Sequence, residues 1–150
     1  MADGNTQKEG VDFDRIFSTV VKSTTIRLVL IIAAASNWHL SAIDIAQAYL
    51  QAELSEDLYM MMPPLLPAYN AAGEKLVVKL RRSLYGLKQA GREWNILLVK
   101  FIITWGFIQS TVDVCLFIYT RNGYTIWLLI YVDDLILACS AASIRESFVA

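Results

Sequence analysis

Residues 124–139 read YTIWLLIYVDDLILAC. Two apolar runs, Thr125–Ile130 and Leu135–Cys139, flank Tyr131-Val132-Asp133-Asp134, and their β-branched and aromatic content predicts strand, acidic turn, strand. A third run, Cys115–Tyr119, precedes them and is joined to Thr125–Ile130 by Arg121-Asn122-Gly123-Tyr124. Asn-Gly between such runs is the strongest short hairpin signal. The acids also decide against a membrane, because each would cost about 2.5–3.5 kcal/mol to insert at the centre of a spanning helix. The longest charge-free apolar run, Leu28–Ala35, is eight residues, against about 18 for a span. A mean hydropathy of +0.45 is high and raises the question of a membrane, but no transmembrane helix is expected.

Upstream of the hairpins the pattern is mixed. A helix is predicted to about Ser36, capped by Ser23, Thr24 or Thr25 and apolar on most sides, since only Arg27 and the caps are polar. His39–Asp44 reads as a strand, Ala46–Leu54 as a short helix and Leu58–Met62 as a strand stopped by Pro63 and Pro64. Lys75–Leu80 alternates and should pair with that strand. From about Gly86 to Trp105 the period returns to 3.6, with Trp94, Leu97, Leu98, Phe101, Ile102 and Trp105 on one face and Lys88, Arg92 and Asn95 on another. Residues 1–14 form a polar tail expected to trail from the fold, and residues 15–150 the domain. The order predicts an α+β fold: an antiparallel sheet with helices on one face, chiefly about Thr24–Ser36 and Lys88–Trp105.

At 56% hydrophobic and 18% charged, the chain is far from the disordered class. Six charges in the first twenty residues leave no room for a secretory leader. Cys115 and Cys139 have no metal or disulfide spacing, and His39 has no second His or Cys beside it, so core thiols and a packed or surface histidine are expected. These features predict an intracellular protein, cytoplasmic or nuclear, neither secreted nor membrane-bound. The formal net charge of −1 hides a basic stretch. Residues 74–100 hold Lys75, Lys79, Arg81, Arg82, Lys88, Arg92 and Lys100 against Glu74 and Glu93. Such a stripe is either an ordinary solvated surface or a footprint for a polyanion.

Asp133-Asp134 admits two readings. Asp favours turns, which accounts for one exposed acid. Two adjacent carboxylates repel unless a cation lies between them, and a divalent metal supplies it for phosphoryl chemistry. Asp44, also at a strand end in apolar sequence, is the third candidate ligand.

Three blocks in order, AIDIAQAYLQAELSEDLYM (42–60), VKLRRSLYGLKQAGREW (78–94) and LLIYVDDLILA (128–138), resemble the reverse transcriptase domain of copia-type retrotransposons. TQKEGVDFDRIFSTVVKSTTIRLVLIIAA (6–34) is similar to the segment that precedes them, so the resemblance runs from about Thr6 to Ser140. It implies a polymerase palm with part of the fingers, in which Asp44, Asp133 and Asp134 bind two magnesium (or manganese) ions for nucleotidyl transfer. It places Tyr131 and Val132 under the primer end, and Tyr49 beneath the incoming sugar, although Tyr49 reads equally well as a core aromatic. Gly86, Lys88 and Arg92 fall on the segment near template and nucleotide. The implied partners are an RNA or DNA template-primer and deoxynucleoside triphosphates. The resemblance also implies a fingers hairpin before Thr6, and a thumb and an RNase H domain after Ala150, so the chain alone is expected to extend a primer little. Gly91 and Thr19 stand where the family has Pro, Ala46-Gln47 where it has Lys-Thr, and Met61-Met62 where it has an acid-Gln pair. These departures keep open a degenerate, non-catalytic remnant that retains the palm and only binds nucleic acid. A third reading, an interaction domain with a chance YVDD turn, fits the ordered blocks poorly.

Overall fold

The computed structural model describes residues 2–143 and Arg145. Their contacts divide the chain into two units: residues up to Phe17 with Gln47–Trp94, and Ser18–Ala46 with the residues from Asn95 onward.

The second unit holds helix α1 (Ser23–Ala35) and strands β1 (His39–Asp44), β4 (Ile108–Gln109), β5 (Leu116–Arg121), β6 (Tyr124–Tyr131) and β7 (Asp134–Cys139). They form one antiparallel sheet in the order β1-β7-β6-β5-β4. The β5–β6 turn is Asn122-Gly123, both at positive φ (52° and 78°), the backbone that a two-residue hairpin needs and that Asn and Gly tolerate. On β6 and β7, Ile126, Leu128, Ile130, Leu135, Leu137 and Cys139 are buried on one face. Leu129 and Ala138, on the other, pack with Val29 and Ala33 of α1. Both faces of the central strands are thus covered, which is why they read as unbroken apolar runs.

Two expectations for α1 are corrected. No Ser or Thr caps it; Lys22 is the cap residue and its side chain makes no capping bond. The buried Asp113 serves instead, accepting from the Lys22 backbone N–H at 3.1 Å and the Thr25 hydroxyl at 2.6 Å. Nor is α1 buried on most sides: Val29 and Ala33 are, whereas Leu28 and Ile31 stay 56% and 65% exposed. One stripe suffices to dock a helix on a sheet. At its end Asn37 turns left-handed (φ 54°), its N–H bonding Ala34 O while the Trp38 N–H bonds Ala33 O. This Schellman closure stops the helix and starts β1.

The first unit holds helix α2 (Ala48–Gln51) and the antiparallel pair β2 (Glu53–Met61) and β3 (Val77–Arg82). The helix predicted over Ala46–Leu54 is shorter because β2 begins at Glu53, upstream of the predicted Leu58. The N-terminal residues do not trail. The Ala2 N–H bonds Tyr85 O at 2.8 Å, and Phe13 is buried.

Helix α3 (Ala90–Thr104) starts two residues later than the predicted Lys88, after a turn in which Gly86 has φ 100°. Trp94, Leu98 and Ile102 are its buried stripe, while Leu97, Phe101 and Trp105 of the expected core face are exposed. The apolar arc is wider than the buried contact, so periodicity alone did not choose between its halves. Among the described residues no helix is long and apolar enough to cross a membrane.

Candidate functional site

The sheet brings the candidate ligands together by register. Asp44, the last residue of β1, stands opposite Asp134, the first of β7, and Tyr131, the last of β6, stands opposite Asp134 from the other side. Val132-Asp133 is therefore the two-residue loop between β6 and β7. The Ile45 N–H donates to Asp133 O at 3.0 Å, carrying the β1 backbone onto that loop. Asp44 and Asp134 are exposed and Asp133 half-buried.

Val132 occupies the left-handed region at φ 60°. A β-branched residue there is strained by roughly 1–3 kcal/mol, in contrast to Asn122-Gly123 in the same sheet. Opposed like charges across a strand pair are likewise unfavourable by themselves. A strained residue and a pair of opposed like charges thus fall at the same strand end. The donor set is all carboxylate oxygen, the chemistry that suits magnesium or manganese. Yet among the described residues no three His, Cys, Asp or Glu side chains gather into a set able to hold a metal. The backbone converges; the three carboxylates do not.

The remaining candidates lie in the other unit, except Tyr131 and Val132. Tyr49 is half-buried on α2, its ring centroid 4.7 Å from that of Tyr85. Gly86 lies in the turn before α3, and Lys88 is exposed. Arg92 is tied to the buried Glu93 at 2.5 Å, and Glu93 also accepts from the Ser55 hydroxyl at 3.0 Å. The basic stripe is thus uneven. Lys79 pairs with Asp57 at 2.6 Å, and Arg92 is engaged, while Lys75, Arg81, Arg82, Lys88 and Lys100 are exposed. Among the departures, Gly91 is the second residue of α3, in the first turn, where backbone N–H groups have no partner within the helix. Gln47 takes φ 56° at the entry to α2.

Sequence reasoning missed Asp113. Burial pushes its carboxyl up, but the Thr25 hydroxyl, the backbone N–H groups of Cys115 and Lys22 and the Lys22 charge outweigh burial and hold it below the usual range. It missed Glu93 as the partner of Arg92, which adjacency alone could have suggested. It also missed Gln7 and Gln89, polar residues whose bonding runs across the fold.

A profile of the family described as "Reverse transcriptase (RNA-dependent DNA polymerase)" matches residues 1–149. The chain is 39% identical over 137 residues to the retrovirus-related Pol polyprotein from transposon RE1 of Arabidopsis thaliana, covering 91% of this chain and 9% of that protein. It is 39% identical over 137 residues to the Pol polyprotein from transposon TNT 1-94 of Nicotiana tabacum, covering 89% of this chain and 10% of that one. It is 34% identical over 112 residues to the transposon Ty1-BL Gag-Pol polyprotein of Saccharomyces cerevisiae, covering 67% of this chain and 6% of that one. The chain thus spans about a tenth or less of the length of these relatives. No solved structure gives a significant match.

Proposed function

The chain belongs to the reverse transcriptase (RNA-dependent DNA polymerase) family of retrotransposon Pol polyproteins, and from that premise we propose that it forms the palm, with part of the fingers, of a polymerase that copies RNA into DNA. The observation that carries this reading is the register that sets Asp44 opposite Asp134, beside the strained Val132-Asp133 loop. Asp44, Asp133 and Asp134 would hold two magnesium or manganese ions, for which carboxylate oxygens are the fitting donors. Bound there, such ions would supply positive charge to the phosphate under attack and to its leaving group.

The chain's own residues bind and orient. Tyr131 and Val132 lie beneath the primer end, and the left-handed backbone at Val132 keeps the loop tight under it. Tyr49, steadied by the Tyr85 ring, faces the sugar of the incoming deoxynucleotide. Gly86 leaves room for template or nucleotide, and Lys88 meets their phosphates. Arg92 acts through its pair with Glu93, which fixes the start of α3. The second reading, a remnant that binds nucleic acid without synthesis, draws on the ungathered carboxylates and on the exchange at Ala46-Gln47.

Primer extension on an RNA template separates the two. With the chain substituted for the matching segment of the RE1 polyprotein, deoxynucleotide incorporation is expected, and Asp134→Asn abolishes it. A folded chimaera that binds the primed template but incorporates nothing overturns the catalytic reading and establishes the second.

A further inference from the structure

One residue far upstream holds both the backbone and the side chain of Lys88. Gln7 Oε1 accepts from the Lys88 backbone N–H at 2.8 Å, and the Gln7 carbonyl accepts from Lys88 Nζ at 3.2 Å. The other end of the Gln7 amide donates to Gln89 Oε1 at 2.9 Å, and the fully buried Gln89 donates from Nε2 to the Asp12 carbonyl at 2.9 Å. The Lys88 ammonium also lies 5.1 Å from the centroid of the Phe13 ring, a contact that holds a cation over an aromatic face. Closer to the N-terminus, a Cβ on Gly4 would overlap the Gly86 carbonyl oxygen, so the two backbones pass at a distance only glycine permits. Residues 2–13 therefore grip the Tyr85–Gln89 turn at several points within one unit.

Resting on the polymerase reading above, we propose that Gln7 is a positioning residue, which fixes the Tyr85–Gln89 turn and holds the Lys88 ammonium where it meets a phosphate of the substrate. A free lysine side chain samples many rotamers and loses them on binding. Here two contacts, one to the Gln7 carbonyl and one to the Phe13 ring, remove that freedom beforehand, while the exposed side of the ammonium remains available. The phosphate belongs either to the template-primer backbone or to the nucleotide; both present the same oxyanion to Lys88.

The experiment measures binding of a fluorescent primed RNA template to the 150-residue chain by anisotropy, from about 25 to 200 mM salt, with and without the complementary deoxynucleoside triphosphate. One lysine–phosphate contact contributes about 0.7–0.9 to the slope of log K against log salt. Lys88→Ala, Gln7→Ala and the double variant are each expected to lower the slope by that one contact and no more, because the Gln7 amide fixes the turn from which the one ammonium reaches the phosphate. A loss already present without the triphosphate assigns the phosphate to the template-primer; a loss only with it assigns the nucleotide. Amide exchange at Lys88 should rise at least about tenfold in Gln7→Ala, which removes the acceptor. Should Gln7→Ala fail to fold, Gln7→Met replaces it: this variant keeps the length of the side chain and loses both amide bonds, so the Lys88 protection and the slope are both expected to fall. A Gln7 variant that keeps the full slope while Lys88→Ala loses it overturns the proposal alone. Failure of the unaltered chain to bind primed template at 25 mM salt overturns the polymerase reading and the proposal with it.

Discussion

Val132 is held left-handed between strands that would accept Asn or Gly with less strain. Val132→Asn should raise the unfolding free energy by about 1 kcal/mol, since Asn tolerates this region and Val does not. Urea denaturation measures it, and a loss of that size would mean that the Val132 side-chain packing outweighs the backbone. Asp113 acts in the opposite sense, as a charged acceptor for Lys22, Thr25 and Cys115. Hydrogen bonds to a charged group contribute about 1.5–3 kcal/mol, so Asp113→Ala should cost about 2–3 kcal/mol. Its folded carboxyl lies below the unfolded value of about 3.9, so between the two values the unfolded state binds more protons and stability rises with pH. The contribution is present above pH 4–5 or so and is lost as pH falls through the folded value. The urea midpoint of the unaltered chain should therefore drop more steeply below about pH 4 than that of Asp113→Asn. Parallel curves would place the acid sensitivity elsewhere.

The strands were legible because their periods are short and their runs continuous. β1 matches the predicted His39–Asp44, and the Asn122-Gly123 hairpin and the break at Val132-Asp133 follow from turn chemistry that local sequence carries. The approach of Asp44 to the 133–134 loop followed from acids standing at strand ends, which one sheet edge can align. Helix faces were not legible, because every position of α1 from Leu28 to Ala35 is apolar and the pattern there has no contrast to read. Nor were caps and clamps whose partners are distant: the Lys22–Asp113 bond spans 91 positions and the Gln7–Lys88 bond 81. The α1 stripe makes a contrast that unfolding can test. Val29→Ala, at 1% exposure, should cost about 2 kcal/mol, while Ile31→Lys, at 65%, should change stability by less than about 0.5 kcal/mol. A large loss from Ile31→Lys would show that its exposed face is packed in solution.

Taken whole, the molecule carries its acidic strand end on a sheet whose central strands are buried on both faces. Ions bound only by the folded state stabilise it by RT ln(1 + [L]/Kd), about 1.4 kcal/mol at ten times Kd. Millimolar magnesium should therefore raise the thermal midpoint of the unaltered chain, and Asp134→Asn should abolish the rise. An equal rise in both would mean that the ions sit elsewhere. The two rims of the five-stranded sheet are unlike. At one rim β4 is two residues long, too short to recruit a neighbour, whereas at the other β1 runs six residues, ends in Asp44 and, among the described residues, pairs on one side only. Unpaired N–H and C=O groups along such a strand are a template for another chain. The sheet thus has one end from which it can grow, and at high concentration the strand that bears Asp44 is where self-association would begin.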